Sequence, residues 1–344
     1  MRGRRLIMRQ PLAVDLEDFE LDERSLHSGD LLVRNRFTAI SPGTELASFT
    51  GLALESDVSD YGKYPFRPGY AAVGEVIAAG PDTPRFPVGQ HVLHSSVHAS
   101  VAIVRADAVA VPVPAGVPPD AAVFSRLAAI SITARRLSSA EPGETVVVIG
   151  QGMIGNLAAQ LFRLSGVRVL VVDPNESRLR IAAACGLEEQ LRAVEQVLAA
   201  TGGAGAETVV DATGLPDPVA AAIDVVARFG ELILLGTPRG RPRGDVSFTH
   251  FVGTAHTRSI RIIGAHASTS PQQDGTALPR VPVRLSIEAN LRYILDCMRE
   301  LPNALRLQVA PLRTHTLPPE RATEAYAGLH EHPDVYLGVA FAWS

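Results

Sequence analysis

Apolar positions fall into two regimes along the chain. Up to about residue 115 they form short runs broken by proline and glycine, the clearest at 31–40, 71–78 and 99–104. Such runs between turn residues predict strands and a β-rich, barrel-like unit. A helical stretch follows from about 120 to 140 and stops at Pro142-Gly143. Apolar strands at 145–149, 167–172, 208–212, 232–236 and 260–263 then alternate with helical segments. That alternation predicts an α/β, doubly wound parallel sheet with helices on both faces. The remaining chain reads as a helix at 287–300, a strand near 305–311, a helix at 319–329 and a strand-like end at 336–342. This tail is expected to return and complete the first unit, giving domains of 1–130 plus 265–344 and 131–264. The stretch 270–284 is the most loop-like insertion.

One motif sits inside the alternating region. Val146-Val-Val-Ile-Gly150-Gln-Gly152-Met153-Ile154-Gly155 reads as strand, tight turn and helix start, and Asp173 closes the next apolar run. Gly150 makes the turn, Gly152 lets a diphosphate approach the backbone, and Gly155 lets helix and strand pack closely. The diphosphate would lie at the helix N-terminus, where unsatisfied N–H groups and the helix dipole favour an anion. A carboxylate at Asp173 accepts both adenosine-ribose hydroxyls and repels a 2′-phosphate. Pro174 and Asn175 supply no cation to offset it, so NAD is expected over NADP.

Size and charge narrow the setting. The 344 residues suffice for two domains. A net charge of −4 with scattered basic residues gives no nucleic-acid footprint, and Arg2-Gly-Arg-Arg5 is too short to make one. No apolar run is long enough to span a bilayer and no signal peptide is read, so a cytoplasmic location is expected. Cys185 and Cys297 form no paired motif and read as buried packing residues.

Further segments resemble the medium-chain dehydrogenase/reductase superfamily over nearly the whole chain. They are Pro42-Gly-Thr-Glu45, Arg67-Pro-Gly-Tyr-Ala-Ala-Val-Gly-Glu-Val76, Val88-Gly-Gln-His-Val92, Ile132-Thr-Ala134, Pro142-Gly-Glu-Thr145 leading into the glycine turn, and Asp211-Ala-Thr-Gly214. The resemblance implies a GroES-like catalytic domain built from both chain ends, an inserted Rossmann domain and a cleft between them. It also implies a homodimer or homotetramer, with dimers joined through the last strand of the nucleotide-domain sheet.

Departures from the family pattern bear on the chemistry. Zinc members take ligands from three places, and here these carry Pro42, Tyr70 and Ala129, none of which supplies a thiolate or imidazole. The cysteines of a structural zinc lobe are missing from 91–101. No metal is therefore expected. A rearranged site would have to use His94 or His98, whose neighbours suggest loop and strand.

Without a Lewis acid, the substrate oxygen needs another proton partner. By the resemblance, Thr44 matches the hydroxyl that bonds the substrate oxygen, and Ala47 replaces the histidine that would continue the relay. Tyr70 points into the cleft, as a proton donor or acceptor or as a space-filler. Thr133 matches the threonine behind the nicotinamide. Thr213, Gly236, Ile263 and Gly264 are expected along the cofactor, and Ser41, His94 and His266 near substrate. Glu45 is read as structural, bridging the domains.

The expected activity is NAD(H)-linked interconversion of a secondary alcohol and ketone on a small molecule. Zinc-free quinone and enoyl reductases are one alternative, although many of them use NADPH. A non-catalytic NAD-binding scaffold is the other. The pairing of Ser-Pro-Gly-Thr-Glu45 with Pro68-Gly-Tyr70 looks closer to the branch of bacteriochlorophyllide hydroxyethyl dehydrogenase and related proteins of secondary metabolism. Ala71 stands there in place of that branch's glutamate.

Overall fold

The computed structural model describes residues 1–52, 62–81, 86–237, 239–266, 286–299 and 305–344. The expected loop at 270–284 lies outside these.

In the first part, β1 (Arg2–Ile7) and β2 (Asp15–Glu20) pair antiparallel. They precede β3 (Leu31–Ala39), α1 (Pro42–Phe49), β4 (Ala72–Ala79), β5 (His91–His94), β6 (Val101–Val104) and β7 (Ala110–Pro112). Helices α2 (Pro119–Ala122) and α3 (Ser125–Leu137) lead into the nucleotide-binding part. That part comprises β8 (Thr145–Ile149), α4 (Met153–Arg163), β9 (Arg168–Val172), α5 (Glu176–Ala184), β10 (Gln190–Leu191), α6 (Gln196–Ala200), β11 (Ala206–Asp211), α7 (Pro216–Ala222), β12 (Val226–Leu234), α8 (Phe248–Arg258) and β13 (Arg261–Gly264). The chain closes with α9 (Ile287–Cys297), β14 (Arg313–Leu317), α10 (Ala322–Glu331) and β15 (Gly338–Ala342).

The six strands β8–β13 form an all-parallel sheet in the order β10-β9-β8-β11-β12-β13. The order reverses between β8 and β11, and a ligand crevice opens beyond the carboxyl ends of the strands at such a reversal. Strands β8, β9 and β11 are apolar almost throughout because helices cover both faces. The second sheet runs β14-β15-β3-β4-β5-β7, with β6 also pairing β3, and is antiparallel except for β14 beside β15. The C-terminal strands thus return to the N-terminal sheet, giving the mixed GroES-like architecture. One core joins the two units: Leu127 and Ile132 of α3, Leu157 of α4 and Leu291 of α9 belong to the same buried cluster.

Two elements depart from the sequence reading. Residues 305–311 form no strand, and the pairing belongs to β14, immediately after Pro311 and Leu312. Pro311 has no N–H to donate to a ladder. Residues 42–49 form a helix, started by Pro42 at a first-turn position where its missing N–H costs nothing.

Candidate active site

The glycine turn lies at the carboxyl end of β8. Gly150 has φ +92°, a left-handed conformation strained for any residue with a Cβ. A Cβ on Gly155 would be driven into the carbonyl oxygen of Gly150, so only glycine lets α4 approach the turn. A Cβ on Gly152 would meet nothing, which leaves open space at the start of α4. The first N–H groups of that helix, from Met153, Ile154 and Gly155, have no partner within it and suit an anion. The Met153 side chain turns away and abuts Gly338 of β15, so this residue offers its backbone.

Asp173 follows β9, 2 % exposed. One carboxylate oxygen accepts the Gln151 N–H at 2.7 Å and the other accepts Asn175 N–H at 2.8 Å. The carboxylate therefore ties the glycine turn to the second strand, and each oxygen keeps a lone pair for a ribose hydroxyl. A cation does stand beside it: Arg178, in the first turn of α5, lies 3.6 Å from Asp173. The sequence reading looked only as far as Asn175. Turning α5 back over the strand end brings Arg178 close, which softens the argument against a 2′-phosphate. With open space at Gly152, unbonded helix N–H groups and a carboxylate at the second strand end, the residues fit NAD(H).

Thr213 follows β11, donating its hydroxyl to Asp211 at 2.6 Å. Gly236 follows β12, and Ile263 and Gly264 end β13 in register with Ile233 and Leu234. These residues all lie along the carboxyl edge of the sheet. Thr133 is buried within α3 and caps its hydroxyl on Ala129 O at 3.4 Å.

The second cluster is built on α1 and the segment before β4. The Tyr70 phenol donates to Ser41 Oγ and lies within bonding reach of the Thr44 hydroxyl. Burial pushes the phenol up from its ordinary value against the opposing pull of Ser41, Arg126 and Thr44. It is thus a protonated donor at neutral pH. The Arg126 guanidinium sits 5.1 Å from the Tyr70 ring centroid, and Arg239 reaches from the far side to donate to Gly43 O at 2.6 Å. The sequence reading missed both arginines. Neither belongs to a motif, and only folding brings α3 to the phenol and the segment after β12 to α1.

Glu45 does not bridge the two domains. It is fully buried in the GroES-like unit, where it accepts the Ser41 N–H at 2.9 Å, His98 Nε2–H at 2.9 Å and the Tyr326 hydroxyl. His98 Nδ1 meets Thr38 Oγ1 at 2.7 Å, which in turn accepts the Trp343 indole N–H at 3.0 Å.

The expected substrate contact at His94 is also corrected. His94 is 1 % exposed on β5, with Nε2 on Asn35 Oδ1 at 2.9 Å and no partner for Nδ1. It alternates inward with the strand and so joins the core. Burial lowers its pKa from 6.5 to about 3. The unfolded chain therefore binds the extra proton between these values, and stability is full above pH 6.5 and falls below it. The loss is at most about 1.4 kcal/mol per pH unit. Denaturant midpoints at pH 7 and pH 5 should differ less in His94→Gln than in the parent, and parallel shifts would refute this assignment. His266, just beyond β13, is exposed.

Pro42, Tyr70 and Ala129 offer no zinc ligand, and among the described residues no group of three or more His, Cys, Asp or Glu side chains is placed to hold a metal. No helix among them is long and apolar enough to cross a membrane.

The sequence matches the zinc-binding dehydrogenase family over residues 154–280. It is 24% identical to D-guloside 3-dehydrogenase of Escherichia coli K12, covering 98% of this chain and 100% of that protein. It is 27% identical to 2-desacetyl-2-hydroxyethyl bacteriochlorophyllide A dehydrogenase of Cereibacter sphaeroides, covering 97% and 96%. Its fold superposes with a TM-score of 0.78 on an alcohol dehydrogenase of E. coli CFT073 complexed with NADH, at 16% identity over 99% of each chain. Sheet order, glycine turn and this superposition together show the medium-chain dehydrogenase/reductase fold, and the family match falls on its nucleotide-binding part.

Proposed function

We propose that this NAD(H)-dependent oxidoreductase interconverts a secondary alcohol and its ketone on a small or natural-product substrate, without catalytic zinc. The observation that carries the reading is the Tyr70 phenol, held protonated against Ser41 and Thr44 where zinc members place a metal ligand. The dehydrogenase that acts at position 3 of a D-guloside, similar over the whole chain, favours alcohol chemistry over C=C reduction.

When bound, the nicotinamide supplies or takes the hydride. In reduction, Tyr70 would turn from Ser41 to the substrate oxygen and give it the phenolic proton. The Ser41 and Thr44 hydroxyls then donate to the phenolate, and the Arg126 charge offsets its cost. A proton from solvent restores the phenol, and oxidation runs the same steps backward. Ser41 and Thr44 thus act through Tyr70, while His266 at the exposed end of β13 is retained as a substrate contact. In this arrangement 1–130 and 265–344 form the catalytic unit around 131–264.

The test is hydride transfer with matched NAD(H) and NADP(H), with and without chelator. Substrates are secondary alcohols, ketones, polyols, quinones and enones. Chelator-insensitive alcohol or ketone turnover is expected. Activity confined to quinones or enones would move the protein to C=C reduction, and NADH binding without any turnover would leave a scaffold.

Asp173→Ala should weaken NADH binding about tenfold, the worth of a hydrogen bond to a charged group, and narrow the gap between NADH and NADPH. Fluorescence titration with both cofactors measures this, and an unchanged ratio would remove Asp173 from ribose selection.

One edge of the parallel sheet is β13, where Ile262 is 44% exposed, and α8 carries Phe248 at 78%. Such an edge invites pairing with a second copy. Ile262→Lys is expected to shift the species seen in sedimentation from dimer or tetramer to monomer. A parent protein that is already monomeric would end the proposal.

A further inference from the structure

We propose that Arg126 and Arg239 form an anion subsite beside Tyr70, and that the substrate carries a carboxylate or phosphate on the arm leaving its reacting carbon. This deepens the alcohol–ketone reading and rests on it for the identity of the reacting group. The two arginines come from different units, Arg126 from the first turn of α3 and Arg239 from the segment after β12. Arg126 lies over the Tyr70 ring at 5.1 Å, and Arg239 bonds Gly43 O at 2.6 Å, next to Thr44.

The nearby carboxylate does not compensate the charge of Arg239. Glu45 is sealed away with both oxygens committed to Ser41, His98 and Tyr326. Arg239 is partly buried, forms no ion pair among the described residues, and has its pKa lowered by burial. Withdrawing a guanidinium from water is costly unless a counter-charge arrives. The chain as a whole is acidic, with a net charge of −4, so two cations at this cleft are a local feature. Guanidinium forks pair two oxygens of a carboxylate or phosphate at once, whereas a neutral polyol offers them only weaker acceptors.

The test uses three probes on one carbon skeleton: D-gluconate, sorbitol 6-phosphate and sorbitol. Each is titrated calorimetrically into the NADH-loaded protein and into Arg126→Gln, Arg239→Gln and the double variant. At least one anion should bind about tenfold more tightly than sorbitol, with the advantage lost in the double variant and reduced by salt. Which anion prevails separates carboxylate from phosphate. Equal binding of all three, no measurable binding of either anion, or a preference that survives in a folded double variant would overturn the subsite. Matching losses of NADH affinity would assign the arginines to the cofactor and also overturn it. The binding readout is independent of turnover. Anion preference without turnover of any alcohol or ketone would therefore sink the alcohol–ketone reading and leave the subsite standing. Turnover of neutral alcohols without anion preference would do the reverse.

Discussion

Replacing Tyr70 by phenylalanine is expected to lower NAD-linked turnover by about two to four orders of magnitude, the range for loss of a positioned acid–base group. The substitution removes one oxygen and keeps the ring, so the stacking of Arg126 and the filled volume survive. Affinity for NADH, which rests on the carboxyl edge of the parallel sheet, should be unchanged. The loss should appear in kcat more than in KM, because the phenol is asked to stabilise charge that develops on the carbonyl oxygen only as the carbonyl carbon takes the hydride. The pH dependence adds a second readout. Burial holds the phenol above its usual value of 10 despite the opposing hydroxyls and guanidinium. Ketone reduction, which uses the protonated form, should therefore not decline through Tyr70 ionisation until the pH exceeds 10. Alcohol oxidation, which needs the phenol to accept a proton, should gain from rising pH toward the same point. Both limbs should vanish in Tyr70→Phe. Steady-state kinetics in each direction decides the matter: a variant that keeps parent kcat would make Tyr70 a space-filler. Thr44→Val should follow the same pattern at smaller amplitude, since Ser41 remains to hold the phenol.

The parallel sheet was legible because its signals are local. Five apolar runs of strand length, a glycine spacing and one acid after the second strand predict β8, β9, β11, β12 and β13 to within a few residues, except that β12 begins well before its expected start at 232. Strand β10 is only two residues long and leaves no pattern. Helix α1 escaped because its opening reads as a motif of small and polar residues, and its helical character comes from Pro42 and the backward reach of Glu45. The final strand pairing was displaced because β14 is built on Arg313, Thr314, His315 and Thr316, a polar stretch on the sheet margin. The site divides in the same way. Residues at strand ends were placed by the sequence, because the topology fixes where strand ends go. Arg126, Arg178 and Arg239 act through space, and nothing in their neighbours along the chain records what they meet. His94 shows the reverse problem: a titratable residue near a motif invites a functional reading, and burial assigns it to the core.

Glu45→Ala is expected to cost about 3–5 kcal/mol of stability, because three buried donors lose their acceptor at about 1–3 kcal/mol each. The count of donors explains the size. Ser41 N–H, His98 Nε2–H and the Tyr326 hydroxyl all point at this carboxylate, and none has solvent to turn to. The network also joins distant parts of the chain. His98 and Thr38 come from the N-terminal strands and their connections, whereas Tyr326 lies on α10 and Trp343 beyond β15. Removing the carboxylate thus loosens the closure of the C-terminal segment onto the first sheet. It also frees Ser41, whose hydroxyl receives Tyr70, so turnover should fall along with stability. Glu45→Gln separates the two effects. An amide retains one oxygen acceptor but presents N–H groups to at least one donor, so its cost should be intermediate. Urea denaturation of the three proteins at one pH measures the ladder. A Glu45→Ala loss below about 1 kcal/mol, a typical net hydrogen bond, would mean that water fills the space and the network does not close the fold. With the fold intact in Glu45→Gln, a drop in kcat without a change in NADH affinity would trace the path from the buried carboxylate through Ser41 to the phenol. Parent-like kcat in that variant would confine Glu45 to stability.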